Sequence, residues 1–288
     1  MTSDNDIVIE AWNTILFEKF CRFRHLLTVG LAAHSDEALR RRPFQPGMRV
    51  LDIGCGFGDT TRQIGLQVGA SGSAVGVDCA RNFVEAATGE AREHGPANTT
   101  FFTADVQVDD LHGPYDAAFA RFGTMFFNLP GAAFRNIRRS LRPGGSFTMI
   151  VWRKREDNPW LHESERRVRE LVPVVSPEET DEVHCGPGPF SLAGADLVSD
   201  LMQAAGFSEV TFERFDADIC IGRELEEAIE FAMALGPAGE IIRLAKEQGE
   251  ALKPEVAKAL REVLAAYRRE DGIWAPSSTW FVTGRVPE

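Results

Sequence analysis

The sequence predicts an α/β fold built on a doubly wound parallel sheet. Three observations point there. Short apolar runs alternate with helical stretches between residues 47 and 152. The first run ends in a glycine-rich turn, the usual exit from a strand into a helix. The runs are apolar almost throughout, as expected of strands covered on both faces.

Taken in order, residues 1–46 read as helical, because Ile7 to Leu16 and Phe17 to Leu31 carry apolar residues at mixed three and four spacing. Pro43, Pro46 and Gly47 close that segment. Met48 to Ile53 is the first strand, followed by a helix from Thr60 to Val68 with Asp59 or Thr60 as its N-cap. Ala74 to Asp78 is a second strand, and Arg81 to His94 a helix stopped by Gly95 and Pro96. Thr99 to Ala104 and Tyr115 to Phe122 are the third and fourth strands. A helix over Ala132 to Leu141 leads through Pro143-Gly144-Gly145 into a fifth strand, Ser146 to Trp152. Beyond it come a charged amphipathic helix (Pro159 to Val172), a Pro- and Gly-rich loop (173–193) and a helix from Ala195 to Ala205. Val210 to Ile221 is a strand, 224–270 holds two or three helices, and Thr279 to Val286 is the last strand. A helical block is thus inserted before the final strand.

The 288 residues are 44% hydrophobic and 26% charged, enough for a sizeable core and unlike a disordered chain. The net charge of -12 disfavours nucleic acid as a partner. No apolar run approaches the ~20 residues of a membrane span, so no membrane partner is expected. The opening residues lack the basic and then apolar order of a signal peptide, so a cytoplasmic location is expected. Five scattered cysteines (Cys21, Cys55, Cys79, Cys185 and Cys220) fit reduced thiols better than disulfides or zinc. No closely spaced acid and histidine set suggests a metal. A homodimer is left open.

The chemistry concentrates in Val50 to Asp59, where glycines fall at 54, 56 and 58. Such a turn lets a ligand approach the backbone and meet the free N–H groups of a helix start. A dinucleotide fingerprint would place glycine at 59, where this chain has Asp59. Asp52, two residues before the first glycine, would repel a pyrophosphate and attract an ammonium group. Asp78, at the end of the second strand, can accept hydrogen bonds from ribose hydroxyls. Asp105, after the third, can accept from an adenine amine, with the Val106 N–H beside it for a ring nitrogen.

These motifs resemble those of class I S-adenosylmethionine-dependent methyltransferases. The matching residues are Leu51-Asp-Ile-Gly-Cys-Gly-Phe-Gly58, Gly76-Val-Asp78, Ala104-Asp105, Tyr115-Asp116, Arg121-Phe122-Gly123 and Leu141-Arg-Pro-Gly-Gly145. Within the family the chain is most similar to the ubiquinone- and menaquinone-biosynthesis type of small-molecule enzyme. The resemblance implies a Rossmann-like seven-stranded sheet with its last strand antiparallel. It also implies S-adenosyl-L-methionine as cofactor and S-adenosyl-L-homocysteine as product. Carried over, Asp52 with Gly54, Cys55, Gly56 and Gly58 holds the methionine part, and Asp78 the ribose. Asp105 and Val106 serve the adenine, and Cys79 lies along its face. The Arg121 carbonyl and Phe122 border the methionine end. Residues 1–46 are then a helical cap and 47–152 the cofactor core. Residues 153–288 complete the sheet, with a lid segment (153–193) and a helical insertion (222–275).

The expected reaction is in-line transfer of a methyl group to a small, partly hydrophobic acceptor, with O, N, S or C as nucleophile. A histidine is the usual base where one is needed. His25 is the candidate kept, beside His34, His162 and His184. Two other readings stand: an NAD(P)-dependent oxidoreductase on a similar sheet, and a non-catalytic S-adenosylmethionine-binding protein.

Overall fold

The computed structural model describes residues 4–173 and 186–288, so His184 and Cys185 lie outside the described residues. The central sheet runs β3-β2-β1-β4-β5-β8-β6. The apolar runs form β1 (Arg49–Ile53), β2 (Ser73–Asp78), β3 (Thr99–Thr103), β4 (Tyr115–Arg121) and β5 (Leu141–Trp152), all mutually parallel. β6 (Ser208–Gly222) forms the far edge, and β8 (Gly272–Arg285) lies between β5 and β6, antiparallel to both.

Among the described residues the sheet has eight strands rather than the expected seven. The extra one, β7 (Arg268–Arg269), turns back onto Gly272 and Ile273 of β8. It is two exposed arginines, so no apolar pattern marks it. β8 also begins at Gly272 rather than Thr279, because backbone pairing with β6 continues past Pro276. β5 begins at Leu141, and its register against β4 shifts between Tyr115 and Ala117, absorbing the Pro-Gly-Gly turn.

Helices cover both faces. On one, α3 (Ala32–Arg41) and α4 (Asp59–Val68) enclose Leu39, Val50, Ile64, Phe119 and Ile150. The other face carries the larger core. There α6 (Pro130–Ser140) and α8 (Ala195–Ala204) pack over Phe147 and Phe207, whereas α5 (Arg81–His94) lies outside β2 and β3 on the α4 side, with Ala87 and Phe101 both against the Gly58 turn. The insertion holds four helices rather than two or three: α9 (Leu225–Ala234), α10 (Gly236–Leu244), α11 (Lys246–Ala251) and α12 (Lys253–Leu264). Pro237 and Pro254 fall in the first turns of α10 and α12, where a missing N–H costs no helical bond. α9, α10 and α12 pack against one another, and α10 and α12 also pack on α7 (Pro159–Leu171).

The N-terminal stretch is helical, as expected, but not uniformly α. α1 (Asp4–Ala11) and α2 (Phe17–Arg22) are separated and followed by π-helical turns at Trp12–Leu16 and Leu26–Gly30. An inserted residue per turn is a common mark of functional segments. Trp12, Phe17 and Phe20 pack onto Phe57, Ala80 and Phe83, so this cap sits over the carboxyl ends of β1 and β2.

A candidate ligand cavity at the carboxyl edge of the sheet

The strand order reverses between β1 and β4, which opens a crevice beyond their carboxyl ends. The glycine turn leaves β1 there. Gly54, Gly56 and Gly58 all take left-handed backbone, with φ of 65°, 52° and 74°. A Cβ on Gly58 would lie 2.7 Å from the Phe101 ring, so that position is closed by packing. A Cβ on Gly56 would meet nothing within 4 Å, so this position alone of the three looks onto open space. Gly58 itself is the N-cap of α4, and Asp59 lies in the first turn. The expected Asp59 or Thr60 cap is therefore corrected: the left-handed backbone needed there excludes a side-chain cap.

Asp52, Asp78 and Asp105 line the crevice, as does Asp59 at the start of α4. Asp52 is 1% exposed, and its Oδ2 accepts the Thr61 hydroxyl at 2.6 Å. Burial pushes its carboxyl up to about 7, against the pull of Thr61 and the nearby Arg121 guanidinium. Asp78 accepts the Gly56 N–H on Oδ2 and the Ala80 N–H on Oδ1, each at 3.0 Å. A carboxylate has about four acceptor sites, so Asp78 can still accept from a ligand. Burial raises its carboxyl as well. Asp105 accepts from the Gln107 backbone (2.9 Å) and side chain (3.1 Å) and from Asn5 of α1. Asp109 accepts the Asp105 N–H at 2.8 Å, which separates the two acids by role. The Val106 carbonyl accepts from Asn136 at 2.9 Å.

Cys55 and Cys79 also line the cavity. Burial and the Asp78 carboxylate raise both thiols well above the ordinary value, so neither is a nucleophile at neutral pH. Arg121 lines it at the end of β4 with its guanidinium withdrawn from water, which lowers its pKa, while Asp59 and Asp52 pull the other way. Phe122 follows with φ of 57°, a conformation an aromatic residue adopts only under constraint. Its ring stacks on Trp152 at 4.5 Å.

The cavity measures about 810 Å³, near the top of the ~300–1,000 Å³ range of small-molecule sites. It continues from the acids into an apolar chamber between the cap, α7 and the α9–α10 turn, lined by Trp160, Leu161, Phe190, Phe231 and Ile241. His25, the candidate base, does not line it; its Nε2 lies 2.8 Å from Glu227 of α9. His34 does not either. It is fully buried between Ser277 (2.8 Å) and Thr279 (3.0 Å), and burial lowers its pKa to about 4. His162 is also absent from the lining. Among the described residues no cluster suited to a metal ion occurs, and no helix is long and apolar enough to cross a membrane.

Several participants escaped the sequence reading. Thr61 supports Asp52 from the first turn of α4, where a threonine signals nothing. Asn5 reaches Asp105 across the cap, a contact set by tertiary packing alone. Gly123 was legible as part of a motif but not for its purpose. A Cβ on it would come within 3.2 Å of the Gly54 Cα, so the turns after β1 and β4 cross glycine on glycine.

Comparison with known proteins points one way. The family described as a methyltransferase domain matches residues 50–145. The chain is 30% identical over 268 residues to nocamycin O-methyltransferase of Saccharothrix syringae, covering 84% of this chain and 86% of that protein. It is 28% identical over 117 residues to demethylmenaquinone methyltransferase of Lactococcus lactis, 40% of this chain and 46% of that one. Among solved structures, the YcgJ protein of Bacillus subtilis shares the fold with a TM-score of 0.58 at 17% identity, over 89% of this chain and 99% of that chain. Phosphoethanolamine N-methyltransferase 2 of Haemonchus contortus, solved with S-adenosylhomocysteine, aligns with a TM-score of 0.56 at 17% identity, over all of this chain and 61% of that one.

Proposed function

This chain belongs to the class I S-adenosylmethionine-dependent methyltransferases, and on that premise we propose which residues hold the cofactor and where the acceptor lies. The activity is methyl transfer from S-adenosylmethionine to a small molecule. The observation that carries the site reading is the convergence of Asp52, Asp78 and Asp105 on one cavity that runs on into an apolar chamber. Asp52 takes the ammonium, with the Arg121 guanidinium near it for the carboxylate. The glycine turn lies under the methionine portion, since Gly56 leaves that space empty. Asp78 takes the ribose hydroxyls on its spare lone pairs, and Asp105 and Val106 face the adenine, with Cys79 along the ring. Phe122 and Trp152 border the methionine end.

The bound cofactor supplies an activated methyl group on a positively charged sulfur, and S-adenosylhomocysteine is left. The residues of the chain then have to align and dry the reactants. Holding two partners in line can contribute ~7–11 kcal/mol. Apolar walls from Trp160, Leu161 and Phe231 exclude water and suit a partly hydrophobic acceptor. Asp59 lines the cavity where a pyrophosphate would need to sit, which argues against nicotinamide dinucleotide. The net charge of -12 supports a small molecule over a nucleic acid, and a cytoplasmic setting belongs to the same proposal.

Titration calorimetry with S-adenosylmethionine, S-adenosylhomocysteine and NADH tests the reading. Both sulfur compounds should bind and NADH should not; the reverse pattern overturns it. A Gly56→Val variant should keep its native circular dichroism, melt at a lower temperature because valine is strained at a φ of 52°, and lose cofactor binding. Asp78→Ala should weaken binding by ~1–3 kcal/mol, the range for hydrogen bonds to a charged group. Unchanged affinity in Asp78→Ala refutes the ribose assignment.

A further inference from the structure

The chamber is largely apolar but carries a charged cluster at α7 and the turn before it. Glu165 of α7 has a side chain only 7% exposed, and two arginines converge on it. Arg155 approaches Glu165 Oε2 with its Nε at 2.9 Å. Arg169 approaches Oε1 with Nε at 3.0 Å and Nη2 at 2.8 Å. All three line the cavity.

One carboxylate needs one guanidinium, so among the described residues this cluster carries a positive charge in excess, on two arginines 46% and 47% exposed. The other acid on this side, Glu240, has its own partner in Arg243 at 2.7 Å. Arg155 commits only its Nε to Glu165; its guanidinium also lies over the Phe190 ring, 5.0 Å from the centroid, which fixes its plane. The two terminal nitrogens of that fork are the geometry that receives a carboxylate in bidentate fashion. A second feature of the same wall agrees. Trp160, stacked on Phe231 at 6.1 Å, has a buried indole N–H with no acceptor. The Arg155 terminal nitrogens and the Trp160 N–H, unspent among the described residues, are donors, and a ligand bearing a negatively charged oxygen would satisfy them.

We propose that Arg155 and Arg169 form an anion-binding subsite for the methyl acceptor, and that the acceptor is an amphiphilic organic acid. Its acidic group pairs with the two arginines, Glu165 holds their forks apart, and its apolar body lies against Trp160, Leu161 and Phe231. The inference rests on the methyltransferase reading, which assigns this chamber to the acceptor.

The test uses the full chain loaded with S-adenosylhomocysteine and a panel of medium-chain and aromatic carboxylates, each paired with its primary amide, followed by calorimetry. An acid should bind at least ~10-fold more tightly than its amide, the lower bound for a charge-assisted pair. Arg155→Gln and Arg169→Gln should each erode that preference, and the double variant should abolish it. Affinity for S-adenosylhomocysteine should stay unchanged; the melting temperature should fall in the double variant, which leaves the buried Glu165 carboxylate without its partners, so the acid-over-amide preference is the readout that a merely structural role would not move. Arg155→Lys should restore only part of the preference, because it returns charge without the fork. Equal binding of acid and amide, no acid bound by cofactor-loaded protein, or a preference that survives the double variant overturns the proposal. Failure to bind S-adenosylhomocysteine would instead strike the methyltransferase reading beneath it.

Discussion

Asp52 stands at the point where protonation and binding meet. Its carboxyl is held at about 7 in the unfilled site, so below that pH it is mostly neutral and cannot attract an ammonium group. An α-amino group in turn loses its proton near ~8. Cofactor affinity should therefore rise as pH passes 7 and decline again above ~8. An Asp52→Asn variant should lose the rising limb, and calorimetry across pH reads both. His34 titrates in the opposite sense and affects stability rather than binding. Its folded pKa, about 4, lies below the ordinary 6.5, so the unfolded chain binds the proton more readily. Its contribution is complete above ~6.5 and is lost as pH falls toward 4. That should cost the fold roughly 2–3 kcal/mol between pH 7 and 4, a part of the acid sensitivity that a His34→Gln variant should lack in denaturant melts. His25, paired with Glu227 outside the cavity, illustrates why residue type alone did not find a base. A helix histidine in sequence carries no sign of which way it faces.

At the scale of elements, the cap is bound to the core by polar ties at three places. Asn5 of α1 meets Asp105; Asn13 accepts the Asn82 N–H at 3.0 Å at the start of α5; and Arg24 joins Glu90 (2.8 Å) and Asp59 (3.4 Å). Arg24 also lies 4.3 Å over the Phe57 ring, inside the glycine turn. The half-exposed ion pairs each contribute little on their own. Their placement matters more, since every tie ends on an element that forms the cofactor pocket. Asn5→Ala should weaken S-adenosylhomocysteine severalfold with little change in melting temperature, because it loosens the cap and leaves Asp105 less well oriented. A drop in melting temperature with unchanged affinity would place Asn5 in stability alone. The two π-helical turns of this cap were illegible in sequence, because one extra residue per turn leaves the apolar spacing mixed rather than broken.

For the molecule as a whole, the half of the sheet that builds the cofactor pocket was readable and the other half less so, for a physical reason. β1, β2 and β4 are buried on both faces, so their sequences are nearly continuous apolar runs, and the glycines and acids at their ends are tied to backbone geometry. Their order followed from the alternation with helices. β8 reads poorly because its first half, through Pro276 to Ser278, is held by backbone pairing with β6 rather than by an apolar pattern. Asn158 gave no functional signal, and its work is mechanical: it bonds both the N–H and the carbonyl of Ser278 and so clamps the start of α7 to β8. Arg121 was expected to contribute a carbonyl, and its withdrawn guanidinium depended on a strand end turning inward. Glu165 and Arg169 fall in the helix whose sequence shows only a charged amphipathic pattern, and Arg155 lies in the short turn before it. Only the packing of α10 against α7 shows that part of that helix borders a chamber.

The bond from the Gly56 N–H to Asp78 has a mechanical meaning. The seat for one end of the ligand is braced by the group that grips the other, so the two grips cannot be tuned apart. A change at position 78 would be felt under the sulfur as well as at the sugar, and half a ligand should find the other half's berth already shaped.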